Sequence, residues 1–186
     1  ESCRDINSDY HRFLKANGFM PDGEDGDYTY FTREFSTRVP EQYSKPAFVA
    51  GEAEKFIRKN RDKKFLLYVN FLEPHPPYYS AFDDMYGPDE VSLPPNFNTE
   101  LGEDVPLKYR FTREYFREFG MHFPLGDERA WRKHIARYWG LISLVDKYVG
   151  KLLDSIRENG LEDNTVIVFT SDHGDMMGDF RMLRKS

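Results

Sequence analysis

With 186 residues, 39% of them hydrophobic and 31% charged, the chain is long enough to bury a core and too apolar to be disordered. A net charge of -6 offers no global basic field for nucleic acid, and no apolar run approaches the ~18 residues that a membrane-spanning helix needs. Cys3 is the single cysteine, so no intrachain disulfide can form.

The chain opens on Glu-Ser-Cys-Arg-Asp and ends on Arg-Lys-Ser, and it reads as a piece of a longer protein. Asp5 to Asn17 predicts a short helix, because Ile6, Tyr10, Phe13 and Leu14 fall at helical spacing and Gly18 stands where a left-handed residue ends a helix. Residues 21–30, PDGEDGDYTY, predict a solvated turn; their acids lack the ligand order of an EF-hand. Ser44 to Asn60 predicts a second helix, with Ser44 as N-cap, Pro46 in the first turn, and Val49, Ala53, Phe56 and Ile57 facing inward.

Phe65 to Phe71, FLLYVNF, is nearly continuously apolar and predicts a strand covered on both faces. It runs into Glu73-Pro74-His75-Pro76-Pro77-Tyr78, where three prolines forbid regular continuation. Residues 78–128 then predict an irregular excursion, rich in proline and aromatics, that either lines a substrate groove or covers a sheet edge. Within it Arg110, Arg113 and Arg117 either attract an anion or form a solvated helical face. Glu128 to Asn159 predicts the longest helix. Its apolar positions follow a seam from Trp131 through Ile135, Tyr138, Ile142, Val145, Val149 and Leu152 to Ile156, and Trp139, Leu141, Leu144, Tyr148 and Leu153 widen that seam into a stripe suited to packing on a sheet. Thr165 to Thr170, TVIVFT, predicts a second buried strand. Helix, strand, excursion, helix, strand points to an α/β fold with a largely parallel sheet.

Asp172 and His173 follow that second strand directly, on a loop carrying Gly174 and Gly178. Open α/β sheets place ligands at the carboxyl ends of strands. Ser171 has no G-x-S-x-G elbow, and no H-E-x-x-H or C-x-x-C spacing accompanies the histidines, so a serine triad and a His-rich zinc site lack support. A carboxylate-led divalent site remains. Its oxygens suit calcium, magnesium or manganese, and the imidazole extends the choice to zinc. Lys185 lies twelve positions beyond His173. If the loop folds back, its ammonium beside a metal suits a tetrahedral anion such as sulfate or phosphate; if not, Lys185 is a surface residue. His75, at the end of the other strand, is either a turn histidine or a second contributor to the same site.

The segments RYWGLISLVDKYVGKLLDSIRENGLEDNTVIVFTSDHGDMMGDFRMLRK, FLLYVNFLEPHPPY and MYGPDEVSLPPNF together resemble the sulfatase family of the alkaline-phosphatase-like superfamily, from about Ser44 to the end. The resemblance implies one partial catalytic domain over residues 1–186, an α/β/α sandwich whose mostly parallel sheet is flanked by helices. It implies metal ligation by Asp172 and His173, with calcium the first choice of ion, and contact of His173 and Lys185 with the sulfate. It gives His75 the ester oxygen and the leaving group, and it implies a small-molecule or carbohydrate sulfate ester as substrate. The family's nucleophile is a formylglycine made from Cys or Ser in a C/S-x-P/A-x-R motif. Cys3 is followed by Arg-Asp-Ile-Asn, so the motif is absent from these residues, as is the family's N-terminal pair of aspartates; Asp83-Asp84 does not match them. Phe180 stands where relatives carry histidine. The expectation is therefore half of a metal site and no attacking group, with the 186 residues inactive alone. A phosphonate or phosphate ester hydrolase of the same superfamily, and a non-catalytic relative that binds sulfated glycans, are the alternatives.

Overall fold

The computed structural model describes residues 8–20, 32–119 and 123–185. Cys3, Ile6 and the acidic turn at 21–30 lie outside the described residues. The chain divides into two compact units, one made of residues 1–86 and 137–166, the other of residues 87–136 and 167–186.

In the first unit, α1 spans Asp9–Ala16, capped by the Ser8 side chain, which accepts the His11 amide. Gly18, at φ 80°, ends it as its position predicts. A short helix α2, Arg33–Arg38, follows, with Thr32 Oγ1 accepting the Phe35 amide. Helix α3, Lys45–Asn60, begins at the predicted cap, where Ser44 Oγ accepts the Ala47 amide at 3.3 Å; such a cap contributes about 1 kcal/mol. Its buried face runs through Pro46, Ala50, Ala53 and Ile57. Phe56, expected inside, is instead half-exposed and sets its ring edge against Phe65. Leu14, Phe35 and Val39 form one apolar cluster, and Ala50, Leu144 and Tyr148 another.

The long helix, Glu128–Glu158, is α5 after α4, Leu107–Phe119. Asp127 Oδ1 accepts the amides of Arg129 and Ala130 at the start of α5, and Gly160, at φ 69°, turns the chain out at its end. The buried apolar side chains of α5 are Trp131, Ile135, Ala136, Leu141, Leu144, Tyr148 and Ile156, while Ile142 and Leu153 are exposed. The stripe is thus the broad one expected of a globular helix, displaced from the seam that alternates fours and threes. Gly140 is required where α5 passes residue 82: a β-carbon there would lie 2.4 Å from the Phe82 carbonyl oxygen.

Two expectations are corrected. The excursion is not irregular throughout, since α4 occupies thirteen of its residues. And no hydrogen-bonded strand ladder is present among the described residues. Along residues 65–71 exposure alternates: Phe65, Leu67, Val69 and Phe71 are half-buried, whereas Leu66 and Tyr68 are 94% and 83% exposed. That is the period of a strand with one covered face, not two. Val166 and Val168 are 90% and 80% exposed. A strand is buried on both faces only when neighbours supply ladder partners and a second layer, and neither reaches these runs among the described residues.

Candidate functional site

Asp172 and His173 lie in the second unit. The Asp172 carboxylate accepts the His173 amide through Oδ1 at 2.9 Å, and its other oxygen, Oδ2, stands 3.2 Å from His173 Nε2. The opposite ring nitrogen, Nδ1, is 2.8 Å from the Gly174 carbonyl oxygen. A carbonyl can only accept, so Nδ1 carries a proton, and whenever the ring holds no second proton Nε2 is bare. Two lone-pair donors, Nε2 and Oδ2, then face each other at 3.2 Å. That arrangement is repulsive until a cation lies between them, either a proton or a metal. The donor set, one carboxylate and one imidazole with its tautomer fixed by a carbonyl, fits a divalent ion. Both side chains are open to solvent, Asp172 at 85% and His173 at 44%. Among the described residues no three His, Cys, Asp or Glu side chains gather into a metal-holding group.

After His173 the chain folds back. The Met176 amide donates to the Arg184 carbonyl at 3.0 Å and the Gly178 amide to the Met182 carbonyl at 3.0 Å, so residues 176–184 form a tight hairpin. Its turn is built from left-handed residues: Met177, Gly178, Phe180 and Arg181 have φ of 41°, 99°, 52° and 53°, and Arg184 joins them at 65°. Gly178 also packs closely, since a β-carbon would meet Trp131 at 3.4 Å and Phe97 and Pro94 at 3.5 Å. Met182 and Leu183 are buried, and Leu183 joins Phe97 and Trp131 in the core of this unit. Trp131 is itself fixed by an indole N–H bond to the Leu125 carbonyl at 2.9 Å. The fold-back on which the Lys185 expectation depended is therefore present. Lys185 directly follows the residue paired with Met176, and its side chain is exposed.

His75 belongs to the first unit and is exposed. Its Nδ1 lies 2.7 Å from the Pro76 carbonyl oxygen, which fixes the proton there and leaves Nε2 outward. The Glu73 carboxyl just before it has a buried Oε2 without a hydrogen-bond partner, and burial pushes its pKa up against the opposing charges of Lys45 and His75. Of the arginines in the excursion, Arg113 is bound by Glu100 through 2.9 and 3.1 Å bonds, and Arg110 donates to the carbonyls of Gly102 and Glu103. Those partners identify both as structural.

One charged group was missed. Asp83, 3% exposed in its side chain, pairs with Arg33 at 2.9 Å and Arg137 at 3.3 Å, and Arg137 lies over the Tyr79 ring. It ties α2 and α5 to the start of the excursion. Only an acid next to another acid marked it in the sequence, and that pattern does not reveal partners 50 residues away.

The family model described as Sulfatase matches residues 3–185. A multifunctional alkaline phosphatase superfamily protein, PehA, from Trinickia caryophylli is 30% identical over 95% of this chain and 38% of its own length. A choline-sulfatase from Rhizobium meliloti is 32% identical over 72% of this chain and 26% of its own, and an arylsulfatase from Clostridium perfringens is 29% identical over 74% and 28%. Among solved structures, the phosphonate monoester hydrolase SpPMH from Silicibacter pomeroyi superposes with a TM-score of 0.73 over 96% of this chain and 38% of that one, at 22% identity, which shows a shared fold. The chain thus spans between 26% and 38% of the length of these proteins. The family generally uses divalent metals. On a match that runs along nearly all of its residues, the chain belongs to the sulfatase family.

Proposed function

We propose that the chain is part of a metal-dependent sulfatase, that its two units are parts of one catalytic domain, and that a formylglycine outside these residues is the nucleophile. The observation that carries the reading is the pairing of Asp172 Oδ2 with His173 Nε2 at the mouth of a hairpin that turns back toward Lys185. Asp172 and His173 would hold the divalent ion, calcium first, with the remaining ligands supplied from elsewhere. The bound ion contributes positive charge that polarises the transferring group, and the nucleophile contributes the attacking hydroxyl.

The residues of this chain do the rest. Lys185 places an ammonium against the non-bridging sulfate oxygens, where negative charge is distributed as the sulfur–oxygen ester bond breaks. His75, doubly protonated, gives its Nε2 proton to the departing ester oxygen and is left as the neutral ring, so that an alcohol rather than an alkoxide leaves. Its Nδ1–H bond to Pro76 keeps Nε2 aimed outward through that transfer. The same residues suit a phosphate or phosphonate monoester, and the likeness to PehA and to the phosphonate monoester hydrolase SpPMH favours that second reading.

Lys185→Ala in the full-length protein is expected to lower kcat/KM for a sulfate monoester by about 10²–10³-fold. Unchanged turnover in that variant contradicts the role given to Lys185. The 186 residues alone are expected to release no sulfate.

A further inference from the structure

The hairpin is held by more than its apolar side chains. Arg181 lies between Gly178 and Lys185 with a left-handed backbone, φ 53°. A residue with a β-carbon keeps that conformation where the surrounding contacts over-determine it. Here they do. The Arg181 guanidinium lies over the Phe97 ring, 5.1 Å from its centroid, and donates to Asn98 Oδ1. Glu100, two residues further on, also interacts with the Arg181 charge and is bound by both terminal nitrogens of Arg113. One side chain therefore joins the hairpin to residues 97–100, across 83 positions of sequence.

We infer that Arg181 is a positioning residue: it clamps the 176–184 hairpin onto Phe97 and Asn98, and through that clamp fixes Lys185 for the tetrahedral anion. The inference rests on the role proposed for Lys185. An arginine suits the task because a flat guanidinium can stack on a ring with its face while donating hydrogen bonds in its plane; an ammonium cannot do both. The same clamp connects the site hairpin, through Glu100 and Arg113, to α4.

The test uses the full-length protein with p-nitrophenyl sulfate as probe, in Arg181→Gly, Arg181→Lys, Asn98→Ala and Lys185→Ala variants and in the Arg181→Gly/Lys185→Ala double variant. Glycine removes the side chain and also relieves the left-handed backbone. A purely conformational role therefore predicts an Arg181→Gly protein with wild-type activity. The clamp predicts a loss of roughly ten- to a hundredfold in kcat/KM, partial recovery in Arg181→Lys, and no further loss when Arg181→Gly is added to Lys185→Ala. Wild-type kcat/KM in Arg181→Gly, or a loss fully additive with that of Lys185→Ala, overturns the inference. If Arg181→Gly does not fold, Arg181→Lys and Asn98→Ala carry the same comparison with Lys185→Ala. If Lys185→Ala alone leaves activity unchanged, the sulfate-binding reading fails and this inference fails with it.

Discussion

The Met176 amide is hydrogen-bonded to the Arg184 carbonyl at 3.0 Å, and that bond turns a separation along the chain into a neighbourhood. It folds the segment between His173 and Lys185 into a hairpin, and Gly178 makes the hairpin possible. Gly178 has φ 99°, a conformation that residues with a β-carbon rarely adopt, and it lies against Trp131, Phe97 and Pro94 at van der Waals distance. Gly178→Ala is therefore expected to destabilise the protein by about 1–2 kcal/mol, from the left-handed backbone. Urea denaturation checks this; an unchanged midpoint contradicts it.

Gly140 supports a different contact by the same logic. A β-carbon 2.4 Å from the Phe82 carbonyl oxygen meets backbone on both sides, so neither partner can give way by a rotamer change. Gly140→Ala is expected to cost about 1–3 kcal/mol despite alanine's better helix propensity, which by itself would stabilise α5 by about 1 kcal/mol. A gain in melting temperature would show that the approach of α5 to residue 82 is looser than described.

Asp83 carries the buried charge that Arg33 and Arg137 share. Removing it leaves Arg137, 18% exposed, with an uncompensated cation, while Arg33, 42% exposed, recovers solvent. Asp83→Ala is expected to cost about 2–4 kcal/mol, below the full penalty of a broken buried pair because Arg33 can rehydrate. A midpoint within error of wild type would assign these residues to the surface.

Glu73 yields a pH dependence of definite sign. Burial raises its pKa in the folded state, against the lowering influence of its own and the Leu72 amides, Lys45 and His75; Tyr10 is its other titratable neighbour. A carboxyl whose folded pKa is raised favours the folded state while protonated, and that contribution is lost as pH rises from the ordinary carboxylate range through the raised value. Glu73→Gln keeps the shape without the charge. It is expected to be at least as stable as wild type at pH 7 and to flatten the decline in stability above the carboxylate range. A wild-type slope in the variant means that Glu73 ionises without penalty.

The helices were legible because their signals are local. Ser44, Gly18 and Gly160 act within one turn of the helix they terminate, and each does what its position predicts. The strands were legible as runs but not as structure. FLLYVNF encodes a propensity to be covered, and covering depends on neighbours that the run does not encode; the alternation of exposure along 65–71 shows one face covered. Helix α4 was legible only as the solvated helical face of Arg110, Arg113 and Arg117; its extent was hidden because Leu107, Phe111 and Tyr115, its regularly spaced apolar residues, are exposed and follow a proline-rich stretch. At the candidate site, residue types and spacing suggested Asp172, His173 and Lys185. The tautomer of His173, the return of the hairpin and the ties of Arg181 to Phe97 and Asn98 are long-range or backbone facts that no spacing rule carries.

The central claim is the identity of the ester. The direct measurement is kcat/KM of the full-length protein on p-nitrophenyl sulfate against p-nitrophenyl phosphate and a phenylphosphonate monoester, at matched metal concentration. A sulfatase gives the largest value on the sulfate; a clear preference for the phosphate or the phosphonate contradicts that identity and selects the second reading.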